Sequence, residues 1–284
     1  MIDINDILVY IPTEQPPQPV VDAAVSLAAR FDAHLDAIAV GYIPPGSAYV
    51  VDGGAGAAVA ASEIFEMERQ RAAQRSAAAL AIFETEARNA NISHASRSVE
   101  DLPGEAASAL GAAARLYGLT VVLQTDATRD SYDNRTATEI LLQAGGPVLF
   151  VPHIFRGTFR ANRIGICWDG SRLAARAFKD ARPFLSQAEA LVTISINEAQ
   201  VAPTEASARK LTEHMARAGL TTTLLELTAE HSEIQPSILS LAADESLDML
   251  VMGAYGHSRL REGIFGGVTR EMLRTMTIPT LLSH

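Results

Sequence analysis

The part of this sequence that most strongly indicates its fold is the glycine-rich stretch Gly253-Ala-Tyr-Gly256-His257-Ser258-Arg259-Leu-Arg261-Glu-Gly-Ile-Phe-Gly266-Gly267-Val268-Thr269. An apolar run, residues 247–252, precedes it and is typical of a buried strand in a parallel sheet. Residues 268–276 follow it and are expected to form a helix that ends before Pro279. Glycines let a ligand approach the backbone closely, and a helix dipole favours an anion, so a loop in this position is suited to phosphate.

The spacing of four glycines in this loop is G-x2-G-x9-G-G. It is neither the Walker pattern, which requires Gly-Lys-Ser/Thr, nor the dinucleotide pattern G-x-G-x-x-G. The glycines have two interpretations: they only shape turns, or they hold a phosphate group. Four glycines between one strand and one helix favour the second interpretation.

This spacing resembles the nucleotide loop of the universal stress protein family, G-x2-G-x9-G-(S/T). The resemblance continues through Val268, Thr269 and the terminal strand at residues 279–283. Gly267 stands where ATP-binding members usually carry Ser or Thr, and Thr269 is a candidate to replace that hydroxyl. The resemblance implies binding of ATP, ADP or AMP, with or without Mg²⁺. The contacts that it implies come from Gly253, Gly256, His257, Ser258, Arg259, Gly266, Gly267, Val268 and Thr269.

The two halves of the chain repeat one pattern of strands and helices. We predict strands at residues 7–11, 37–40, 119–124 and 147–152, and again at 164–168, 191–196, 247–252 and 279–283. Alanine-rich helices are expected at 20–31 and 173–185. This alternation predicts an α/β fold with two doubly wound, Rossmann-like parallel-sheet units, residues 1–153 and 160–284. Family members often dimerise through the last strand, so the resemblance implies that a tandem chain forms this dimer within itself, as an intramolecular pseudo-dimer.

The first unit is expected to lack a nucleotide loop. Its matched span, Thr125 to Arg135, contains no glycine and is four residues shorter than the span from Gly253 to Gly267. It carries Asp126, Asp130 and Asp133, which would repel phosphate. A metal site is the alternative for these aspartates, but their spacing misses the calcium-loop pattern, which favours a solvated loop. We therefore predict one nucleotide per chain.

A second glycine pair in the first half is weaker evidence for a ligand site. Gly54 and Gly56 lie in residues 51–58, but no strand directly precedes them and a third glycine is missing. A flexible surface loop is expected there instead of a dinucleotide loop. Residues 62–89, which are rich in alanine and in Arg/Glu pairs, are expected to form a packing helix.

Asp169 and Ile196 are further candidates for the site, because each lies at a predicted strand end. Asp169 or Ser171 could instead cap the helix that follows. The resemblance implies that Asp169 contacts the adenosine part and that Ile196 lines the adenine. Carboxyl ends of strands are where doubly wound sheets bind ligands. His257 is either a phosphate contact or a surface histidine, and Cys167 is expected to be an unreactive core thiol.

Charge and composition restrict the classes of partner. Residues 1–152 hold 9 arginines and 19 acidic residues, which accounts for the net charge of −10, whereas residues 153–284 hold 14 basic and 14 acidic residues. This distribution permits a small anionic ligand in the second half and argues against nucleic acid. No apolar run is long enough to cross a membrane, and the single cysteine favours a cytoplasmic protein.

The sequence predicts regulation more than catalysis. It contains no G-x-S-x-G elbow, no Cys-His pairing, no zinc-type histidine spacing and no evident base beside the glycine loop. The resemblance implies a stress-response protein that binds an adenine nucleotide as a regulatory ligand and has an unknown protein partner, with a homodimer as a further assembly. Two alternatives remain: a slow ATPase or phosphotransferase using Thr269, Ser258 or His257, and an interaction module that binds no nucleotide.

Overall fold

A single ten-stranded sheet forms the framework of the computed structural model, which describes residues 4–45, 54–126, 128–197, 202–254 and 266–284. The strand order is β3-β2-β1-β4-β5-β10-β9-β6-β7-β8. The strands are β1 (Asp6–Ile11), β2 (His34–Tyr42), β3 (His94–Asp101), β4 (Leu119–Leu123), β5 (Val148–Val151), β6 (Arg163–Cys167), β7 (Ala190–Ile196), β8 (Thr222–Leu227), β9 (Met249–Gly253) and β10 (Thr280–Ser283).

Helices connect the parallel strands, as such crossovers require. The described helices are α1 (Gln18–Phe31), α2 (Gly54–Asn89), α3 (Pro103–Ala114), α4 (Tyr132–Gln143), α5 (Arg172–Asp180), α6 (Arg182–Leu185), α7 (Ala208–Arg217), α8 (Ile234–Asp244) and α9 (Gly266–Thr275). Several begin where the sequence supplies a cap or a proline. Ser131 and Ser171 accept hydrogen bonds from the first turns of α4 and α5, and Pro19 and Pro103 stand in the first turns of α1 and α3.

The sheet consists of two five-stranded units with the same strand order. The first unit, β1 to β5, runs 3-2-1-4-5, and the second unit, β6 to β10, runs 8-7-6-9-10 from the opposite edge. All neighbours are parallel except β5 and β10, which pair antiparallel with Leu281 opposite Leu149. The prediction of two doubly wound units packed as an intramolecular pseudo-dimer is therefore confirmed, and the last strand of each unit forms the junction.

Hydrophobic cores cover both faces of the sheet and continue across the junction. One core includes Leu149 and Leu281, and the other includes Phe150 and Leu282, because successive residues of a strand point to opposite faces. All four side chains are fully buried. The central strands consequently read as unbroken apolar runs, which is why their positions were predictable.

The edge strands β3 and β8 are absent from the prediction. Their burial alternates between partly buried and exposed residues, so neither sequence contains a continuous apolar run. The helix predicted at 173–185 is divided at Ala181 into α5 and α6, with Pro183 in the first turn of α6. A proline lacks the N–H that an uninterrupted helix would use at this position.

The surface loop predicted around Gly54 and Gly56 is wrong from Gly54 onward. Helix α2 begins at Gly54, and residues 51–53 lie outside the described part of the chain. The segment contains several alanines, which have the highest helix propensity, and they compensate for the glycines. The predicted packing helix at 62–89 is confirmed, with Ala72, Phe83 and Ala87 completely buried along one side.

Candidate functional site

A cavity of about 690 Å³ lies at the carboxyl ends of β6, β7 and β9 in the second unit. The chain leaves β6 toward β7 on one side and returns to β9 on the other, so the cavity is at the topological switch point of this unit. We call it the second-unit cavity. It is lined by Cys167, Trp168, Asp169, Ser171, Leu173, Ala174, Ile194, Ile196, Asn197, Thr228, Ala229, Glu230, His231, Ile234, Ile238, Met252, Gly253, Val268 and Thr269.

The structure describes seven of the predicted site residues and brings most of them to this cavity. Five of them line it: Asp169, Ile196, Gly253, Val268 and Thr269. Gly266 and Gly267 begin α9 beside it. Gly256, His257, Ser258 and Arg259 lie outside the described residues, so their contacts remain predictions.

Gly253 has a packing role that the sequence did not reveal. A Cβ atom at this position would lie 2.6 Å from the backbone N of Ala174 and 2.6 Å from the backbone C of Leu173. Such distances are too short for a real side chain, so the glycine allows the start of α5 to approach β9. Replacing Gly253 would displace α5, and loss of binding in such a variant would not identify a phosphate contact.

Asp169 shapes the turn between β6 and α5. Its Oδ1 accepts a hydrogen bond from the backbone N–H of Ser171 at 2.9 Å, and the Ser171 hydroxyl accepts one from the N–H of Ala174 at 3.1 Å. Of the two candidates for capping, Ser171 is therefore the residue that caps α5. Asp169 lies just before the amino end of α5 and lines the cavity.

Cys167 is the last residue of β6 and also lines the cavity. Burial, together with the negative charge of nearby Asp169, raises the pKa of its thiol to about 12. A thiol reacts as a nucleophile only when it is deprotonated. The expectation of an unreactive thiol is therefore supported.

The cavity has one apolar and one polar end. Ile194, Ile196 and Met252 from the sheet, with Ile234 and Ile238 from α8, supply the apolar surface. The amino end of α9 supplies the polar surface, because the first N–H groups of a helix have no partner within it.

One wall of the cavity, which we call the roof, was missed by the sequence analysis. This roof is the segment of residues 228–234 after β8, which supplies five of the lining residues. Asn197 fixes it: its amide nitrogen donates to the carbonyl of Ala229 at 2.8 Å, and its amide oxygen accepts from the Ala229 N–H at 3.0 Å. Asn197 has φ of 59°, a conformation that asparagine tolerates better than most residues. Neither the hydrogen bonds between Asn197 and Ala229 nor the backbone conformation of Asn197 can be recognised from the sequence alone.

The corresponding crevice of the first unit is filled by side chains. Tyr10, Tyr42, Asp133 and Thr136 are buried there. The Tyr10 hydroxyl donates to the Asp133 carboxylate, the two tyrosine hydroxyls are 2.6 Å apart, and Tyr42 is 2.6 Å from the hydroxyl of Thr136. The backbone N–H of Glu14 also donates to Asp133 at 2.8 Å.

The prediction that the three aspartates lie in a solvated loop is therefore wrong for Asp133. This residue lies in the first turn of α4 and is 3% exposed. Its hydrogen bonds to Tyr10 and Glu14 replace the water that a buried carboxylate loses. Asp130 is exposed and paired with Arg135, and Asp126 is partly buried and bonded to Thr128.

The strand register also corrects the alignment of the two units. Ile7 pairs with Leu119 in the first unit, and Ile164 pairs with Met249 in the second. Because Ile7 and Ile164 are equivalent, Leu119 of β4 is equivalent to Met249 of β9. Four residues further along each strand, Leu123, and not Thr125, is equivalent to Gly253. Between the strand end and the helix start, the first-unit connection spans residues 124–131 and the second-unit connection spans residues 254–265, so the first is four residues shorter, as predicted. The filled crevice is a second difference between the units.

Asp133 makes the stability of the protein depend on pH. Burial is the main cause that raises its pKa to about 6, although the hydrogen bond from Tyr10 acts in the opposite direction. The folded value exceeds the unfolded value of about 3.9, so the stabilising contribution is present below pH ~4 and is lost as the pH rises through about 6.

We expect the difference in unfolding free energy between wild type and Asp133→Asn to change between pH 4 and pH 7, by an amount on the order of 1–3 kcal/mol. Wild type should lose stability relative to the variant as the pH rises, because only wild type places a charge in the buried site. Urea denaturation at several pH values measures this difference. A difference that is constant over the whole range would contradict the pKa assigned to Asp133.

The described residues also lack two other features. No group of three or more His, Cys, Asp or Glu side chains within them is arranged to hold a metal ion. Among the same residues, no helix combines the length and the apolar character needed to span a bilayer.

The fold and the cavity define a class of protein: a tandem α/β protein whose second unit has an open ligand cavity at its switch point. The model of the universal stress protein family matches residues 161–284, which are the second unit. The second unit is therefore similar to this family over almost its whole length.

Individual proteins are similar to this chain over different lengths. Universal stress protein Slr1230 of Synechocystis is 40% identical over 57 residues, which are 20% of this chain and 19% of that protein, so the match spans about a fifth of the relative's length. A universal stress protein from Archaeoglobus fulgidus aligns over 97% of this chain and 95% of its own, with a TM-score of 0.70 and 14% identity. A protein of unknown function from Pseudomonas aeruginosa aligns over 99% and 93%, with a TM-score of 0.59 and 18% identity. At these identities the two structures show a shared fold over both units.

Proposed function

We propose that this chain binds one adenine nucleotide, ATP, ADP or AMP, in the second-unit cavity and acts as a regulatory stress-response protein. The observation that carries the proposal is the cavity itself. Its volume of about 690 Å³ lies within the roughly 300–1,000 Å³ of small-molecule sites, and its position is where doubly wound sheets bind ligands.

The two ends of the cavity suit the two ends of a nucleotide. Isoleucines and Met252 offer an apolar surface for a flat base, and Asp169 at the mouth of α5 offers a carboxylate that can accept hydrogen bonds from a ribose. The amino end of α9 offers N–H groups and a positive dipole end for a phosphate. The rest of the glycine loop, with Gly256, His257, Ser258 and Arg259, precedes this helix in the sequence and would complete the site.

The filled crevice supports a single site per chain. Asp133, Tyr10 and Tyr42 occupy in the first unit the space that is open in the second. A nucleotide there would have to displace a buried hydrogen-bonded network and approach a carboxylate. We further propose domain bounds of 1–153 and 160–284, a cytoplasmic location, an unknown protein partner that reads the nucleotide state, and a homodimer as a further assembly.

Calorimetric titration of the purified protein with ATP and AMP tests the proposal. We expect saturable binding with a stoichiometry near one per chain. Mass spectrometry of small molecules released on denaturation gives an independent readout of a nucleotide that co-purifies. An absence of heat and of thermal shift at millimolar nucleotide would favour the interaction module instead, and a stoichiometry near two would mean that the first unit also binds.

Asp169→Asn should weaken nucleotide binding without changing the melting temperature of the ligand-free protein. The asparagine oxygen can still accept the hydrogen bond from the Ser171 N–H, so the turn is preserved. The lost charge should reduce the affinity for adenosine and AMP by about tenfold, since a hydrogen bond to a charged group contributes about 1.5–3 kcal/mol.

Asp244→Asn is the matched control for this variant, because Asp244 is an exposed residue at the end of α8 and does not line the cavity. Titration and differential scanning fluorimetry measure the two effects. Equal destabilisation of ligand-free Asp169→Asn would assign Asp169 a purely structural role.

Hydrolysis of bound ATP should be much slower than the roughly 1–100 per second of kinases. Fast phosphoryl transfer needs groups that neutralise developing charge and a residue that orients the attacking group. Among the described residues that line the cavity, Asp169 and Glu230 carry carboxylates, and neither lysine nor arginine is present. A phosphate-release assay with Mg²⁺ measures the rate. If phosphate were released at kinase-like rates, and the activity stayed with this protein through purification, the protein would be an enzyme.

A further inference from the structure

His231 lies beside the amino end of α9, at the polar end of the second-unit cavity. A Cβ atom built at Gly267 meets its nearest described neighbour, the His231 Nε2 atom, at 3.6 Å. The two residues are 36 positions apart in the sequence. Only the fold brings an imidazole nitrogen to the first turn of this helix.

The position of His231 is fixed by the roof of the cavity. His231 begins a short 3₁₀ helix, His231–Glu233, whose Glu233 N–H donates to the carbonyl of Glu230 at 2.8 Å. Two residues before His231, the double hydrogen bond between Ala229 and Asn197 fastens the chain to the end of β7. The backbone that carries the imidazole is therefore held in place before any ligand arrives.

Among the described residues, the His231 Nε2 atom is the neighbour found within 4 Å of a Cβ atom built at Gly267. Gly267 contributes no side chain, and the first N–H groups of a helix have no carbonyl partner within the helix itself. An anion at these N–H groups would lie within reach of the imidazole, which donates a hydrogen bond when neutral with Nε2 protonated and also when charged. Glu230 and Asp169, the carboxylates that line the same cavity, disfavour an anion, so a donor near the helix is needed to offset them.

We propose that His231 is the residue that selects phosphorylated over unphosphorylated ligands in this cavity, by donating from Nε2 to a phosphoryl oxygen bound at the amino end of α9. This inference rests on the proposed nucleotide site and adds a residue to it that no sequence motif marks. The imidazole occupies the space toward which a side chain at position 267 would point.

His231→Ala tests the inference through a comparison of AMP with adenosine, which share the base and ribose and differ in the phosphate. Isothermal titration of the full chain should show AMP affinity reduced by about 10- to 100-fold, with adenosine affinity unchanged within about twofold. His214→Ala is the matched control, because His214 is an exposed histidine on α7 and does not line this cavity. It should bind both ligands as wild type does.

A second variant guards against a merely structural effect of His231→Ala. Adding Gly267→Ser to His231→Ala places a hydroxyl in the same space and should restore part of the AMP affinity while leaving adenosine binding unchanged. Equal losses for AMP and adenosine in His231→Ala, or no loss for either, would overturn the role of His231. Wild-type protein that binds neither ligand would overturn the proposed function itself, which is a distinguishable result.

Discussion

Val268→Asp should abolish measurable binding of ATP and AMP while leaving adenosine binding intact. Val268 is a half-buried residue in the first turn of α9 and lines the cavity. Two unit charges about 5 Å apart repel by about 3 kcal/mol at an effective dielectric constant near 20, so a carboxylate in this turn would oppose a phosphate at the amino end of the helix. We therefore expect a loss of at least about 100-fold for AMP, and a larger loss for ATP.

The stability of this variant should change little, because the favourable interaction of an acidic residue with the helix dipole offsets part of the packing that the half-buried Val268 loses. Val268→Asn is the matched control: it has nearly the same shape as aspartate and no charge, so its AMP affinity should remain within about tenfold of wild type. Titration calorimetry with AMP, ATP and adenosine separates the outcomes. If Val268→Asp bound AMP as wild type does, the phosphate would not lie at the amino end of α9.

Phe184→Ala should give the largest loss of stability among single truncations at the junction of the two units. Phe184 is fully buried in α6, and its ring packs edge-to-face against Phe31 of the first unit with 5.2 Å between the ring centroids. Phe159, in the segment that links the units, completes the cluster at 6.1 Å. Removing a buried phenylalanine ring costs about 3–5 kcal/mol, because a cavity remains where the ring packed.

Ile154→Ala is the control for Phe184→Ala. Ile154 lies in the segment that links the units, as Phe159 does, but it is 66% exposed. Its truncation should therefore change the free energy of unfolding by less than about 0.5 kcal/mol. Urea denaturation can be followed by far-UV circular dichroism and by fluorescence of Trp168, the single tryptophan. Because the sheet and both cores are continuous across the junction, the two signals should change together in wild type and variant. A fluorescence transition that moves alone would show that the units unfold independently.

The sequence by itself determined the elements whose signals are local. The apolar runs at Ile7, Leu119, Ile164 and Met249 predicted the central strands, because strands buried on both faces need no polar alternation. The recurrence of the same order of elements predicted two units. The glycine spacing at the end of β9, with Asp169 after β6, predicted a nucleotide site in the second unit.

Other features were decided only by the tertiary structure. The edge strands β3 and β8 depend on pairing with β2 and β7, since their own sequences lack an apolar run. The closed state of the first crevice depends on Tyr10 meeting Asp133, which is 123 residues away. No local pattern distinguishes such an aspartate from one in solvent.

The same limit applies to the details of the candidate site. Gly253 was predicted from spacing, yet the reason for a glycine there is the approach of α5, which only the packing shows. His231 reaches the cavity in the roof, which follows β8, a strand that the sequence did not indicate. Asn197, directly after β7, holds this roof by its hydrogen bonds to Ala229. Local propensity and hydrophobic periodicity act over a few residues, whereas these contacts join residues 30 or more positions apart, and their geometry exists only once the sheet has assembled.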